Sequence, residues 1–173
     1  DVDIFHILLA QLHRTQGDAT KALQHAGRAI ALTPKNPESY NCFGSAAFDL
    51  GDFEIAEKNY RQAIELQPQF FDAIVNHGVV LLKLEHFDAA EAQFRKAVSI
   101  EPRRADLLEK LGMALELLER QPEAIEAYRT AGELDPNSIG PAMRLGAVLR
   151  EVGKIDDACC VFETAARRVP RME

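Results

Sequence analysis

Histidine and cysteine are the side chains of this 173-residue chain best suited to metal binding or nucleophilic attack, and there are five of the first and three of the second. His6 and His13 lie seven residues apart. On a helix that spacing gives a shared face but two turns of rise, about 10.5 Å, too far for a simple two-histidine metal pair. His77 stands beside Gly78 at a packing position, and His86 falls in a turn. Cys42 has no histidine placed to activate it. Cys159 and Cys160 are adjacent, so their side chains diverge on a helix. No HExxH, glycine-rich phosphate loop or GxSxG occurs. These residues predict no catalytic group, no metal site and no cofactor within the chain.

Charge and composition narrow the function further. The net charge is −7, and the densest basic spots are the pairs Arg103-Arg104 and Arg167-Arg168. A nucleic-acid interface needs a concentrated basic face to displace phosphate counterions, so no nucleic-acid partner is expected. No apolar run approaches the ~20 residues of a membrane span, and no direct membrane insertion is expected. Three sparse cysteines do not make a disulfide framework. They fit a reducing compartment and a cytoplasmic location, or a periplasmic one if a signal segment has been removed. The sequence enters its pattern at Asp1 without a methionine and reads as a piece of a longer chain.

The elements that position these residues recur every 34. Pro34, Pro68, Pro102, Pro136 and Pro170 form one row. Ala22, Ala56, Ala90, Ala124 and Ala158 form a second, and Ala29, Ala63, Ala97, Ala131 and Ala165 a third. Gly44, Gly78, Gly112 and Gly146 make a fourth, with Ala10 in the first copy. Tyr60, Phe94, Tyr128 and Phe162 make a fifth, with Ala26 in the first copy. Proline cannot continue the helix before it, so it ends the second helix of each copy. Glycine or alanine in the first helix lets a neighbouring backbone come close. Two alanines seven apart form a shallow groove, and the aromatic residue between them fills space. Gly17, Gly51 and Gly153 mark the turn inside a copy, where positive φ suits glycine. The fourth copy has Glu119 there and Pro122 at the start of its second helix, a tolerated place. Each copy is therefore a helix–turn–helix, with registers 3–36, 37–70, 71–104, 105–138 and 139–172 in a single array over 1–173. One such hairpin cannot bury its apolar face alone, so the copies must stack.

This pattern resembles the tetratricopeptide repeat family over almost the whole chain. Tyr40, Phe43, Gly44, Gly51, Phe53, Ala56, Tyr60, Ala63 and Pro68 carry it most clearly. The resemblance implies an all-α fold, a right-handed superhelical solenoid of five helix–turn–helix repeats whose first helices line a concave face. It also implies where a ligand would sit. Asn41 and Asn76 could hydrogen-bond a peptide backbone, with Ser45 and Lys83 on the same face. Phe48, Val79 and Met113 supply an apolar strip, and Lys110 and Arg144 could hold acidic side chains. Such a face suits an extended peptide or an amphipathic helix. The family's clamp for chaperone C-termini is not matched. Asn76 matches its central asparagine and Lys110 stands in for its arginine, but Asn41, Ser45 and Asp106 replace its first lysine, asparagine and second lysine.

Glu38, Asp72 and Asp106 form a row of acids, either a rail for a basic ligand or first-turn acids offsetting helix dipoles. The functional expectation is a protein-interaction scaffold that binds a peptide or helical segment of a partner in its groove. The alternatives are a substrate-recruiting or oligomerising arm of a larger, transferase-type enzyme, and a self-assembling structural module. Ile4, Ile7 and Leu8 make the first helix apolar on its groove side, which implies a missing preceding repeat, self-association or ligand contact. With Val161 and Phe162 near the other end, where the sequence closes on Val169-Pro170-Arg171, the apolar, uncapped ends predict either more chain in the parent protein or end-to-end packing into a homo-oligomer.

Overall fold

The computed structural model describes residues 2–168, and within them every regular element is a helix. In chain order these are α1 (Val2–Thr15), α2 (Ala19–Leu32), α3 (Pro37–Leu50), α4 (Phe53–Leu66) and α5 (Phe71–Lys83). They continue with α6 (Phe87–Ile100), α7 (Ala105–Leu117), α8 (Gln121–Leu134), α9 (Ile139–Glu151) and α10 (Ile155–Arg168). The starts of α3, α5, α7 and α9 fall 34 residues apart, as do those of α2, α4, α6, α8 and α10. Val169, Pro170 and Arg171 lie outside the described residues.

Both kinds of joint have a local cause. Thr33, Gln67 and Asp135 cap α2, α4 and α8, and in each case the next residue is the periodic proline. Inside each hairpin the turn closes with the same backbone hydrogen bond, from an N–H to the carbonyl five residues earlier. The pairs are Asp18–His13, Asp52–Ala47, His86–Leu81, Arg120–Leu115 and Lys154–Leu149, all between 2.8 and 3.0 Å. This closure requires a left-handed residue. Gly17, Gly51 and Gly153 supply it at φ of 78°, 85° and 79°. Glu85 and Glu119 supply it at φ of 60° and 57°, against the preference of a residue with a Cβ.

The chain divides into two compact units, residues up to Gln93 and residues from Phe94, with the division inside α6. In the first unit α1 packs on α2, α2 on α3, α3 on α4 and α4 on α5. Its core holds the alanine rows, with Ala22, Ala29, Ala56 and Ala63 fully buried. The second unit pairs α7 with α8, α8 with α9 and α9 with α10, around buried Leu107, Leu115, Tyr128 and Val148.

The glycine row has a sharper cause than the approach of a backbone. A Cβ on Gly44 would lie 2.9 Å from the Tyr60 ring, one on Gly112 2.6 Å from Tyr128, and one on Gly146 2.3 Å from Phe162. Each glycine makes room for the aromatic ring of its own hairpin. The first hairpin shows the converse, with Ala10 and Ala26 at these two positions and both buried.

Two pairs of substitutions test this reading by thermal and denaturant unfolding. Gly112→Ala forces the Tyr128 ring to move and should cost about 1–3 kcal/mol. Gly132→Ala, in α8, should stabilise by about 0.5–1 kcal/mol. Its Cβ would meet nothing nearer than Pro141 Cβ at 4.0 Å, beside a hollow of about 410 Å³ among α8, α9 and α10. At the hairpin turns, Glu119→Gly should stabilise by up to about 1 kcal/mol, and Gly51→Ala should destabilise by a similar amount.

Candidate functional site

Within each unit, the first helices of successive hairpins meet. In the first unit α1 touches α3 and α3 touches α5, while in the second α7 touches α9. The periodic turns repeat one hairpin geometry, so the same helix positions return to this face.

The first unit brings five of the expected groove residues together. Asn41 and Ser45 are buried on α3, and Asn76 is half-buried on α5. Asn76 Nδ2 donates to Asn41 Oδ1 at 3.1 Å. The Tyr60 hydroxyl donates to Ser45 Oγ at 3.2 Å. Burial pushes the Tyr60 phenol up to about 12, so it stays protonated and remains a donor. The Phe48 ring leans on Phe53 with centroids 5.3 Å apart. Ser45, Phe48, Asn76 and Val79 line a cleft of about 150 Å³ together with Arg14, Asp49 and Tyr60. Arg14 Nε reaches Asp49 Oδ2 at 2.9 Å on its rim. Lys83 is exposed at the end of α5 and does not line this cleft.

The second unit carries the remaining three. Lys110 and Met113 are half-buried on α7, and Arg144 is exposed on α9. Arg144 Nη1 stands 4.0 Å from Glu116 Oε2, which also accepts the Tyr128 hydroxyl at 2.7 Å. Arg144 therefore faces a carboxylate of its own unit.

The acid row is engaged at two of its three members. Arg104 grips Asp106 with two hydrogen bonds, Nε to Oδ1 at 2.9 Å and Nη2 to Oδ2 at 2.7 Å, which hold its carboxyl below the usual range. Glu38 accepts from Gln11 Nε2 at 3.1 Å, and burial raises its pKa. A carboxylate already forked by arginine and another whose burial disfavours charge make a poor rail for a basic ligand.

Cys42 is buried, and burial followed by the nearby Glu38 pushes its thiol up to about 12. It remains a thiol near neutral pH, without the thiolate character of a nucleophile. Among the described residues, no group of three or more His, Cys, Asp or Glu converges as metal ligands. His77 is buried as its position predicts, with Nε2 3.2 Å from Glu57 Oε1. His25 joins His6 and His13, which the sequence shows as two turns apart on α1. Its ring, from α2, lies 5.3 Å from that of His6 and 5.4 Å from that of His13, and the Nδ1 atoms of His6 and His25 are 3.0 Å apart.

These features define a helical-hairpin repeat protein. Residues 37–70 and 75–139 each match a family model described as Tetratricopeptide repeat. The chain belongs to the tetratricopeptide repeat family. Among solved structures it is similar to MamA, residues 41 to the end, from Desulfovibrio magneticus RS-1. That match is 25% identical, covers 97% of this chain and 95% of the other, and has a TM-score of 0.91. Pseudomonas aeruginosa PilF shares the fold at 16% identity and a TM-score of 0.85, over 98% of this chain and 77% of PilF. The Photosystem I assembly protein Ycf3 of Cyanophora paradoxa is 37% identical over 62 residues, covering 32% of this chain. The chain spans about a third of that relative's length.

The histidines generate a pH prediction. Burial, then His6, His13 and Arg28, lowers the pKa of His25, and burial lowers that of His77 against the pull of Glu57. Both folded-state values lie under the ordinary 6.5, so the unfolded chain binds these protons more readily. Their contribution to stability is full above that value and declines as the pH falls through it. Melts followed by circular dichroism from pH 7.5 to 5 should show this decline, and His25→Gln with His77→Gln should flatten it.

Proposed function

We propose that this chain is a protein-interaction scaffold whose first-helix groove takes an extended peptide or an amphipathic helix of a partner protein, without catalysis of its own. Family membership supports the scaffold role, and the Ycf3 relative, named for assembly, supports it in kind. The cleft between α1, α3 and α5 carries the finer reading. One amide hydrogen of Asn76 is spent on Asn41, which fixes the carboxamide plane. Its oxygen and second hydrogen are left to pair with a peptide backbone. Phe48 and Val79 offer an apolar seat for one side chain, and the Arg14–Asp49 pair offers charge at the rim. A surface already ordered before binding loses little freedom when it binds. A reducing compartment and a cytoplasmic location belong to this proposal, on the sparse cysteine usage of the sequence. Among the described residues no helix is long and apolar enough to cross a membrane.

Peptides selected from a displayed random library against the chain provide the test. Asn76→Ala and Val79→Asp should each weaken the selected peptides at least about tenfold, or 1.4 kcal/mol, while both variants keep the helicity of the unaltered chain at the temperature of the binding assay. Unaltered affinity in both variants would remove the groove from the proposal.

A further inference from the structure

Two small residues stand where other hairpins carry larger ones, and both line the same hollow. At 34-residue steps before Gly132 come Val98, Ile64 and Ile30. The same steps before Ala142 reach Leu108, Ile74, Tyr40 and His6. Gly132 on α8 and Ala142 on α9 leave side-chain space unfilled, and α10 walls it with Val161 and Ala165. The resulting hollow of about 410 Å³ is more room than close packing leaves between helices. It lies within the range of roughly 300–1,000 Å³ typical of small-ligand sites.

All three walls belong to the second unit. The equivalent trough of the first unit, between α4 and α6 over α5, lies inside the chain and is open in the same way, with Glu54, His86 and Ala89 exposed along it. The opening is thus a property of the repeat and not of its last copy. A hairpin following α10 would meet it at Ala166, as α9 meets Gly132 through Pro141, whereas the hollow is lined by Val161 and Thr164.

The lining selects the ligand. Leu145, Val161 and Ala165 make it apolar. Its uncharged polar groups are the Asn137 carboxamide, the Thr164 hydroxyl and the Ser138 hydroxyl, which makes no cap hydrogen bond to α9. Its ions balance: Arg129 pairs with Glu126, and Glu133 and Arg168 have opposite signs. We propose that this hollow binds a neutral small molecule, an apolar chain or ring with one hydroxyl or carbonyl group. The apolar part takes the space of the side chains that Gly132 and Ala142 lack. A charged head meets ions of both signs there and gains nothing from them to offset its lost hydration.

Titration of the chain with hexanol, heptanol and octanol, followed by methyl NMR, tests this. The Leu145 and Val161 methyl signals should shift together, and affinity should rise about fourfold with each methylene buried. Octanoate at neutral pH should bind at least about tenfold more weakly than octanol. Gly132→Val and Ala142→Leu each restore a side chain that another copy carries, and each should weaken octanol at least about tenfold with helicity retained. The two variants report independently, so misfolding of one leaves the other to decide. The cleft of the first unit shares none of these residues, so peptides selected on that cleft should keep their affinity in both. Octanol that leaves the Leu145 and Val161 signals unmoved overturns the proposal. So does undiminished octanol binding in a folded Gly132→Val or Ala142→Leu chain, and octanoate that binds as tightly as octanol overturns the neutral class.

Discussion

The fit of an aromatic ring onto a bare backbone position, seen in three of the hairpins, governs much of this molecule. Gly44 and Tyr60, Gly112 and Tyr128, and Gly146 and Phe162 are each sixteen residues apart, one on each helix. A ring that lies where a Cβ would be draws the two helices close, and the flanking alanines can then be buried completely. The same ring connects the core to the groove. The Tyr60 hydroxyl reaches Ser45 and the Tyr128 hydroxyl reaches Glu116, so groups on the first-helix face are held from behind by residues of the second helix.

The groove is consequently a surface of groups that already have partners. Asn41 holds Asn76, Tyr60 holds Ser45, and Arg14 holds Asp49. Each contact uses part of a side chain's hydrogen-bonding capacity and orients the rest. In the proposed binding role, selectivity would come from fixed directions more than from net charge. The forked Asp106 and the half-buried Glu38 fit that view, since both acids are committed within their own unit.

The repeat was legible because its causes are local. Proline after the helix cap, glycine at a left-handed turn and the spacing of small residues act within one copy, and the helix starts follow the same 34-residue step. Side-chain pairing between copies was not legible. Nothing in the sequence joins Asn41 to Asn76 or Arg14 to Asp49, because these contacts depend on rotamers chosen after the hairpins stack. His25 shows the same limit. The seven-residue spacing of His6 and His13 describes one helix and says nothing of the imidazole supplied by the next. Tyr60 escaped the groove residues because it belongs to a second helix, although its place in the aromatic row marked it as a core ring with a polar tip. The Glu85 turn broke the glycine rule without a sequence signal, since the left-handed conformation is set by the hydrogen bond that closes the turn.

The aromatic row also gives the molecule an optical property. The chain has no tryptophan and three tyrosines, so its intrinsic ultraviolet emission arises from Tyr40, Tyr60 and Tyr128. Tyr40 donates to the Pro34 carbonyl at a proline joint, Tyr128 to a carboxylate, and Tyr60 to a serine that lines the cleft. Three emitters thus sit in three distinct polar settings, and one of them shares its hydrogen bond with the groove. Any displacement of the Ser45 hydroxyl would therefore reach a native chromophore, which needs no attached dye to be read.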